Sequence, residues 1–377
     1  MKILFVTHYG DMLGANRSML HLIIELRKYG EECTVLLPYA PHGSELSLEL
    51  KKREIPFAMG KYRCIKHHSL WKVIPNYLYS LYIQRNVLKA LHGQTFDIIH
   101  SNSSVINVGK YIAKKLKAKH IWHLREFGDI DYNLRTPFGK WYQKFLYKGK
   151  SSFIAISKKI LYHYSPYISP DRVHLIYNGV HVPQQKASAT SKLVQFCIVG
   201  ILHENKGQLE ILKAMNELIN NRKVQNFHLT IVGSGNEIFT NCLVSYAQDH
   251  NLSQYVTFTG YQKDVENILS HMDVGIMAST NEAFGRVTIE YMMSGLAVIA
   301  SDGGANEEIV NNRSTGLLYH VGDYYELADR MEELINNRKL MKQIADKGTE
   351  YAEQNFSSSL NAKKILTLYN QLCSNKL

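Results

Sequence analysis

Nowhere in these 377 residues does an apolar run approach the ~18 residues that a membrane-spanning helix requires, so no transmembrane segment is expected. The opening MKILFVTHYG has only a short apolar stretch before His8 and Gly10, and it reads as a first strand, not a signal peptide. Cysteine is scarce: Cys33, Cys64, Cys197, Cys242 and Cys373 are scattered with no C-x-x-C pair, which suits a reducing cytoplasm. The 17 histidines contain no H-E-x-x-H or comparable ligand spacing, so no metal is expected. No Ser-His-Asp or Cys-His arrangement can be assembled. A complete G-x-G-x-x-G is also missing: VGSG (232–235) lacks the third glycine and the following acid, and reads as a tight turn lining a ligand cleft. A nicotinamide cofactor is therefore not expected.

What is present describes a globular protein, with 45% apolar and 20% charged residues and a length suited to two domains. The charge is uneven. Residues 1–185 carry 27 Lys and Arg against 12 Asp and Glu, and the remainder carries 17 against 21. Either the first half meets an anionic partner (a membrane surface or a phosphorylated acceptor) or the excess reflects a generically basic proteome. The basic residues are dispersed and no recognition helix or zinc finger is present, so nucleic acid is not expected.

Short apolar and β-branched runs alternate with helical periodicity. Strands are expected at 2–7, 33–38, 97–102, 119–124, 152–157 and 174–180, then at 193–200, 227–233, 256–260, 273–279, 297–301 and 315–319. Nearly all-apolar strands joined by helices imply parallel sheets covered on both faces. The pattern predicts an α/β protein of two Rossmann-like domains facing each other across a cleft, with ligands at the carboxyl ends of the strands. The expected division is 1–182 for the first domain, 183–192 for a linker and 193–355 for the second. A final helix over 356–377 is expected to pack back on the first domain.

The stretch NEAFGRVTIEYMMSGLAVIASDGG (281–304) carries the most chemistry. Glu282 falls on a strand-to-helix loop and Glu290 on the helix that follows. A spacing of eight residues read as a little over two turns is ~12 Å, enough for one carboxylate to reach a sugar and the other a nucleoside. Between them Phe284, Gly285, Arg286 and Val287 present backbone N–H groups at a helix start, a seat for a diphosphate. Two glutamates at this spacing arise often by chance; the strand–loop–helix setting and the trailing Ser-Asp-Gly-Gly make the pattern specific.

These residues resemble glycosyltransferase family 4, whose members have the GT-B fold. GANRSMLHLIIELRKYG (14–30), IYNGV (176–180), VGILHENKGQ (199–208), GYQKDVENILSHMDVGIMAS (260–279) and EAFGRVTIEYM (282–292) match its segments in order, and the likeness covers essentially the whole chain. The resemblance implies acceptor binding for the first domain and nucleotide-sugar binding for the second. It also implies that Glu282 contacts a donor-sugar hydroxyl near the reacting carbon and that Glu290 bonds the ribose hydroxyls. Lys206 would neutralise the leaving diphosphate, and Gly14 would offer a backbone donor to the phosphate or sugar. His123 matches a histidine placed beside donor sugar and acceptor; a satisfied strand-end histidine is the plainer account. The family usually has Arg where this chain has Ile201, and a second glycine where it has Leu13. Arg286 is either a substitute phosphate cation or a surface side chain. Arg125 and Glu126 either bind the acceptor or form a surface ion pair. Asp129-Ile130-Asp131 is formally the metal clamp of the other large glycosyltransferase fold, but in a two-Rossmann chain it reads as a polar loop.

The implied function is a retaining, hexosyltransferase-type enzyme of surface-polysaccharide synthesis that uses a nucleotide-diphosphate sugar and a glycan or lipid-linked acceptor. Retention by same-face attack asks for electrostatic preorganisation more than for a base. The competing readings are a non-hydrolysing sugar-nucleotide epimerase and a catalytically inactive binding protein of the same fold. A cytoplasmic location with peripheral contact to the inner membrane face is suggested by 61–92, where Lys61, Arg63, Lys66, Lys72, Arg85 and Lys89 mix with Trp71, Tyr77, Tyr79 and Tyr82. There a helix is expected from Asn76 onward. The alternative is an ordinary helix whose apolar stripe faces its own sheet.

Overall fold

The computed structural model describes residues 1–181 and 193–374, and the expected linker at 183–192 lies outside the described residues. Contacts divide the chain into two compact units, Met1–Gly179 together with Ser358–Leu377, and Val180–Ser357.

The first unit holds seven strands: β1 (Lys2–Val6), β2 (Glu32–Pro38), β3 (Phe57–Gly60), β4 (Ile98–Ser101), β5 (Lys119–Leu124), β6 (Ser152–Ala155) and β7 (Val173–Leu175). They pair in parallel in the order β3-β2-β1-β4-β5-β6-β7. Their interiors are buried on both faces, which is why Ile3–Val6 and Ile121–Leu124 read as continuous apolar runs. One face carries Met19, Ile23 and Leu26 of the helix Gly14–Lys28, packed with Ile365, Leu368 and Tyr369 of the last helix, Ser358–Ser374.

The second unit holds β8 (Val194–Val199), β9 (Phe227–Val232), β10 (Val256–Gly260), β11 (Val274–Met277), β12 (Ala297–Ser301) and β13 (Leu317–Tyr319). These are parallel in the order β10-β9-β8-β11-β12-β13. In each unit the order reverses beside the first strand, between β1 and β4 and between β8 and β11. At such a reversal the connections leave on opposite faces and open a crevice at the strand ends.

Three sequence expectations change in detail. β3 was not foreseen, because at the sheet edge Phe57, Ala58 and Met59 are only half buried. The segment 174–180 is a strand only as far as Leu175. The helix expected from Asn76 starts at Leu70, carries Pro75 inside it and gives way after Ile83 to a 3-10 stretch, Gln84–Leu91.

Candidate active site

In the second unit the crevice between β8 and β11 is built by two loops tied to each other. The chain leaves β8 through Gly200 and Ile201, turns once at Glu204–Lys206, and enters the helix Gln208–Asn216. Thr280 N–H donates to the carbonyl of Asn205 at 3.0 Å, which docks the loop after β11 against that turn. From the other side Ser301-Asp302-Gly303-Gly304 presses on the same loop: Ala305 N–H donates to the Glu282 carbonyl at 2.8 Å. A Cβ on Gly304 would stand 2.2 Å from the Glu282 nitrogen, so only glycine admits this approach. This explains why Ser-Asp-Gly-Gly accompanies the paired glutamates: it fixes the backbone that carries the first one.

Two cation–carboxylate pairs occupy this place. Lys206 Nζ donates to Glu282 Oε2 at 2.9 Å, and Arg286 Nε donates to Glu290 Oε1 at 2.8 Å. All four side chains are partly exposed, from 14% for Arg286 to 35% for Lys206, so a solute can compete for them. The helix Arg286–Met293 starts after Gly285, whose φ of +87° suits glycine, and carries no acid in its first turn. Tyr291 anchors it, its hydroxyl accepting from Val199 N–H at 2.7 Å.

The ~12 Å helical span inferred from the spacing is corrected here. Only Arg286–Glu290, one turn, is helical, and Glu282 lies on the loop before it, folded back so that Gly285 N–H donates to its Oε1 at 3.3 Å. Arg286 is not a surface side chain. Phe284 is buried, its ring edge-on to Phe356 at 6.2 Å, and Val287 is the second residue of the helix. Ile201 is 61% exposed and puts an apolar group where a cation was looked for. VGSG (232–235) lies against the β8 loop, with Leu202 N–H donating to Ser234 O at 3.0 Å.

In the first unit the strand ends carry a buried polar network. Gly14 opens its helix after an uncapped Leu13, with open space where a Cβ would stand. Asn16, unweighted in the sequence, is fully buried and holds the preceding loop through Thr7 Oγ1 and the carbonyls of Tyr9 and Asp11. His123 is fully buried in β5, its Nδ1 3.0 Å from His100 Nε2 and 3.2 Å from Arg125 Nη2. Burial and the nearby guanidinium hold its pKa well below the usual imidazole value.

Arg125 and Glu126 are not a surface ion pair. Both are buried: Arg125 bonds Asn102 and Asn178, and Glu126 accepts from Ser103 Oγ, Ser104 N–H and Ser104 Oγ within 2.8 Å. Asp129-Ile130-Asp131 begins a single helical turn. Asp131 accepts from the N–H groups of Phe127 and Gly128, and burial raises its pKa to about 6. Among the described residues no cluster of three or more metal-ligating side chains occurs.

Lys66 must be withdrawn from the basic surface. It is buried, 3.3 Å from Ser104 Oγ and beneath the Tyr164 ring. The 3-10 stretch does face its own core, with Val87 and Leu91 buried beside Leu36 and Ile99, but the helix before it is far more exposed. In the helix Leu70–Ile83 only Val73 and Ser80 are buried, while Trp71 is 90% exposed and Leu70, Leu78 and Tyr82 are more than half exposed. A second helix, Gly139–Tyr147, joins it through Tyr77 and Tyr142, whose rings are 5.0 Å apart, and adds exposed Trp141 and Phe145.

Residues 13–183 match the family described as Glycosyltransferase Family 4, and residues 183–351 match Glycosyl transferases group 1. Among curated relatives, a UDP-Gal:alpha-D-GlcNAc-diphosphoundecaprenol alpha-1,3-galactosyltransferase of Escherichia coli is 24% identical over 77% of this chain and 79% of its own length. An N-acetyl-alpha-D-glucosaminyl L-malate synthase of Bacillus anthracis is 21% identical over 87% of this chain and 92% of its own. Among solved structures, HepE of Anabaena in complex with UDP and glucose superposes with a TM-score of 0.83 at 19% identity, covering 98% of this chain and all of that one. The chain belongs to glycosyltransferase family 4 and has the GT-B fold.

Proposed function

We propose that this glycosyltransferase is a retaining hexosyltransferase that takes its sugar from a nucleotide-diphosphate donor and passes it to a glycan or lipid-linked glycan in surface-polysaccharide synthesis. The observation that carries the reading is the Lys206–Glu282 pair at 2.9 Å beside Arg286–Glu290, both at the strand-order reversal of the second unit. A diphosphate competes with Glu282 for Lys206, and as the glycosidic bond breaks its growing charge strengthens that contact. Glu282, freed from the lysine, accepts from a sugar hydroxyl, and Glu290 accepts from the ribose. The first-turn amides of Arg286 and Val287 and the loop at Phe284–Gly285 lie where the helix dipole favours an anion. In the first unit Gly14 and His123 supply donors. No divalent cation is needed, because Lys206 and the helix N-terminus carry the charge.

Thermal-shift measurements with UDP-, GDP- and ADP-sugars test the donor. The true donor at 100 times its Kd adds about 2.7 kcal/mol. Transfer from that donor, with the product anomer read by NMR and excess chelator present, should retain configuration. Inversion of the anomer, or activity abolished by chelator and restored by Mn²⁺, would overturn the mechanism. Conversion of the donor sugar without acceptor would make the protein an epimerase.

The acceptor reading brings the protein to the cytoplasmic face of a membrane as a peripheral protein. Supporting it is the two-helix surface of the first unit, where Trp71, Tyr82, Trp141 and Phe145 stand exposed among Lys72, Lys140 and Lys144. Neither 61–92 nor 133–150 contains an Asp or Glu. Aromatic rings with cations and no acid suit anionic headgroups, each basic residue contributing about 1 kcal/mol.

A further inference from the structure

Three side chains and an arginine form a buried line across the first unit. The Tyr369 hydroxyl, on the last helix, lies 2.7 Å from His100 Nδ1; His100 Nε2 lies 3.0 Å from His123 Nδ1; Arg125 Nη2 lies 3.2 Å from that same Nδ1. Each link needs one donor and one acceptor, and arginine can only donate. His123 Nδ1 must therefore be the bare nitrogen. It can then receive from His100 only if His100 carries its proton on Nε2, which leaves His100 Nδ1 bare and obliges the Tyr369 hydroxyl to donate. The direction of the whole line follows from the guanidinium at its end. Arg125 is itself oriented, Nε donating to Asn102 Oδ1 at 2.7 Å and Nη1 to Asn178 Oδ1 at 2.5 Å.

A neutral His123 whose Nδ1 is bare carries its proton on Nε2. Both histidines are fully buried with pKa values pushed well below the usual range, by desolvation first and by Arg125 second, so neither takes a second proton near neutrality. His123 Nε2 is buried and has no hydrogen-bond partner among the described residues. A polar atom kept so in a native fold calls for a role.

We propose that Arg125, His100 and Tyr369 lock His123 as its Nε2–H tautomer, so that it donates a hydrogen bond to an oxygen of the bound substrate and does not act as the base that deprotonates the acceptor. His100 and Tyr369 are positioning residues, the latter brought from 269 positions away. The inference rests on the transferase reading for the role of His123, but the tautomer itself can be observed without turnover.

Two-bond ¹⁵N–¹H spectra of the full chain with labelled histidine imidazoles, assigned by His123→Gln and His100→Gln, read it directly. Both residues should show protonated Nε2 and bare Nδ1, unchanged from pH 6 to 8. A protonated Nδ1 on His123, or its titration in that range, overturns the lock whatever the activity. In Tyr369→Phe the His100 Nδ1 resonance should move to the position of an unbonded nitrogen while the tautomer persists, held by Arg125; an unmoved resonance removes Tyr369 from the line. For the role, His123→Ala should lower kcat by ~10²-fold. His123→Gln, which keeps an N–H donor but cannot accept a proton, should stay within about tenfold of the native protein with an unaltered pH profile. If Gln is as inactive as Ala while the spectra hold, His123 is not acting as a donor.

Discussion

The two units solve the same problem at their strand ends in opposite ways. In the second, Lys206, Glu282, Arg286 and Glu290 face one another in partly exposed cation–carboxylate pairs. In the first, His100, His123 and Arg125 are buried in one hydrogen-bonded line, and Glu126 is buried against Ser103 and Ser104. Pairs that keep some contact with solvent contribute little, on the order of 1 kcal/mol, so they open when a diphosphate offers the cations a better partner. Breaking a buried network leaves polar groups without solvent and costs several times as much. One half is therefore built to exchange partners, and the other to hold a geometry.

The largest effect that can break this comparison is on turnover. Lys206→Ala and Glu282→Ala should each lower kcat by ~10²–10³. Stability should change by only about 1 kcal/mol, because both members of the pair keep contact with solvent. Glu290→Ala should raise the donor Kd instead, since a ribose contact is equally strong in ground and transition states. In the first unit Arg125→Ala should depress Tm far more than Lys206→Ala does. Equal losses of Tm would show that the second unit's pairs are structural as well.

The next effect is on the surface that the first unit alone carries. Replacing Lys72, Lys140 and Lys144 by Gln should weaken sedimentation with anionic vesicles on the order of a hundredfold, at about 1 kcal/mol per cation, and leave donor affinity unchanged. Trp71 and Trp141, both exposed, should shift their emission to the blue on binding. Native protein that never sediments with such vesicles at low salt ends the membrane reading. Lys66→Glu is the contrasting variant: because Lys66 is buried, it should destabilise the fold.

The sequence displayed this architecture unequally, and burial explains the difference. Strands such as β1, β5 and β12 are covered on both faces and announce themselves as apolar runs, whereas β3, half buried at an edge, leaves no pattern. The helix expected from Asn76 begins at Leu70 and carries Pro75 inside it. Glu282, Glu290 and Lys206 stood out because their loops are short-range constructions in which glycine and charge recur at fixed spacing. The meeting of Tyr369 with His100 spans most of the chain, and no local pattern carries it. For Arg125 and Glu126 a surface ion pair stayed open beside acceptor binding, because the asparagines and serines that satisfy them come from the loops after β4 and β7. The Gly139–Tyr147 helix passed unread, and with it the second half of the exposed aromatic surface.

The last effect is in acid. His100, His120 and His123 are buried in the first unit with lowered pKa values, His120 to about 3, all by desolvation first. Above pH 6.5 they are neutral folded and unfolded, and contribute nothing. Below it the unfolded chain takes up protons that the folded chain refuses, so stability falls as pH drops, by about 1.4 kcal/mol per unit per histidine. Asp131 works against this between about pH 4 and 6, because its raised pKa lets the folded state bind the extra proton. His8, His163 and His174 of the first unit are lowered as well, by desolvation first, so the net expectation there is a loss of stability as pH falls below about 6.5. The second unit's His228 is lowered but half-buried, and exposed His320 is raised by Glu326. All three tryptophans, Trp71, Trp122 and Trp141, lie in the first unit, and Trp122 is buried with its ring 4.8 Å from that of His120. Between pH 7 and 5 the denaturant midpoint read by tryptophan fluorescence should fall ahead of that read by far-ultraviolet circular dichroism. Coincident midpoints would mean that acid does not distinguish the units. His120 bonds Ser101 and Ser151 through its two nitrogens at 2.9 Å, so His120→Gln removes one titrating group while keeping a polar partner for them. The fluorescence slope should then flatten by about 1.4 kcal/mol per pH unit, and an unchanged slope would show that His120 is not a source of the acid sensitivity.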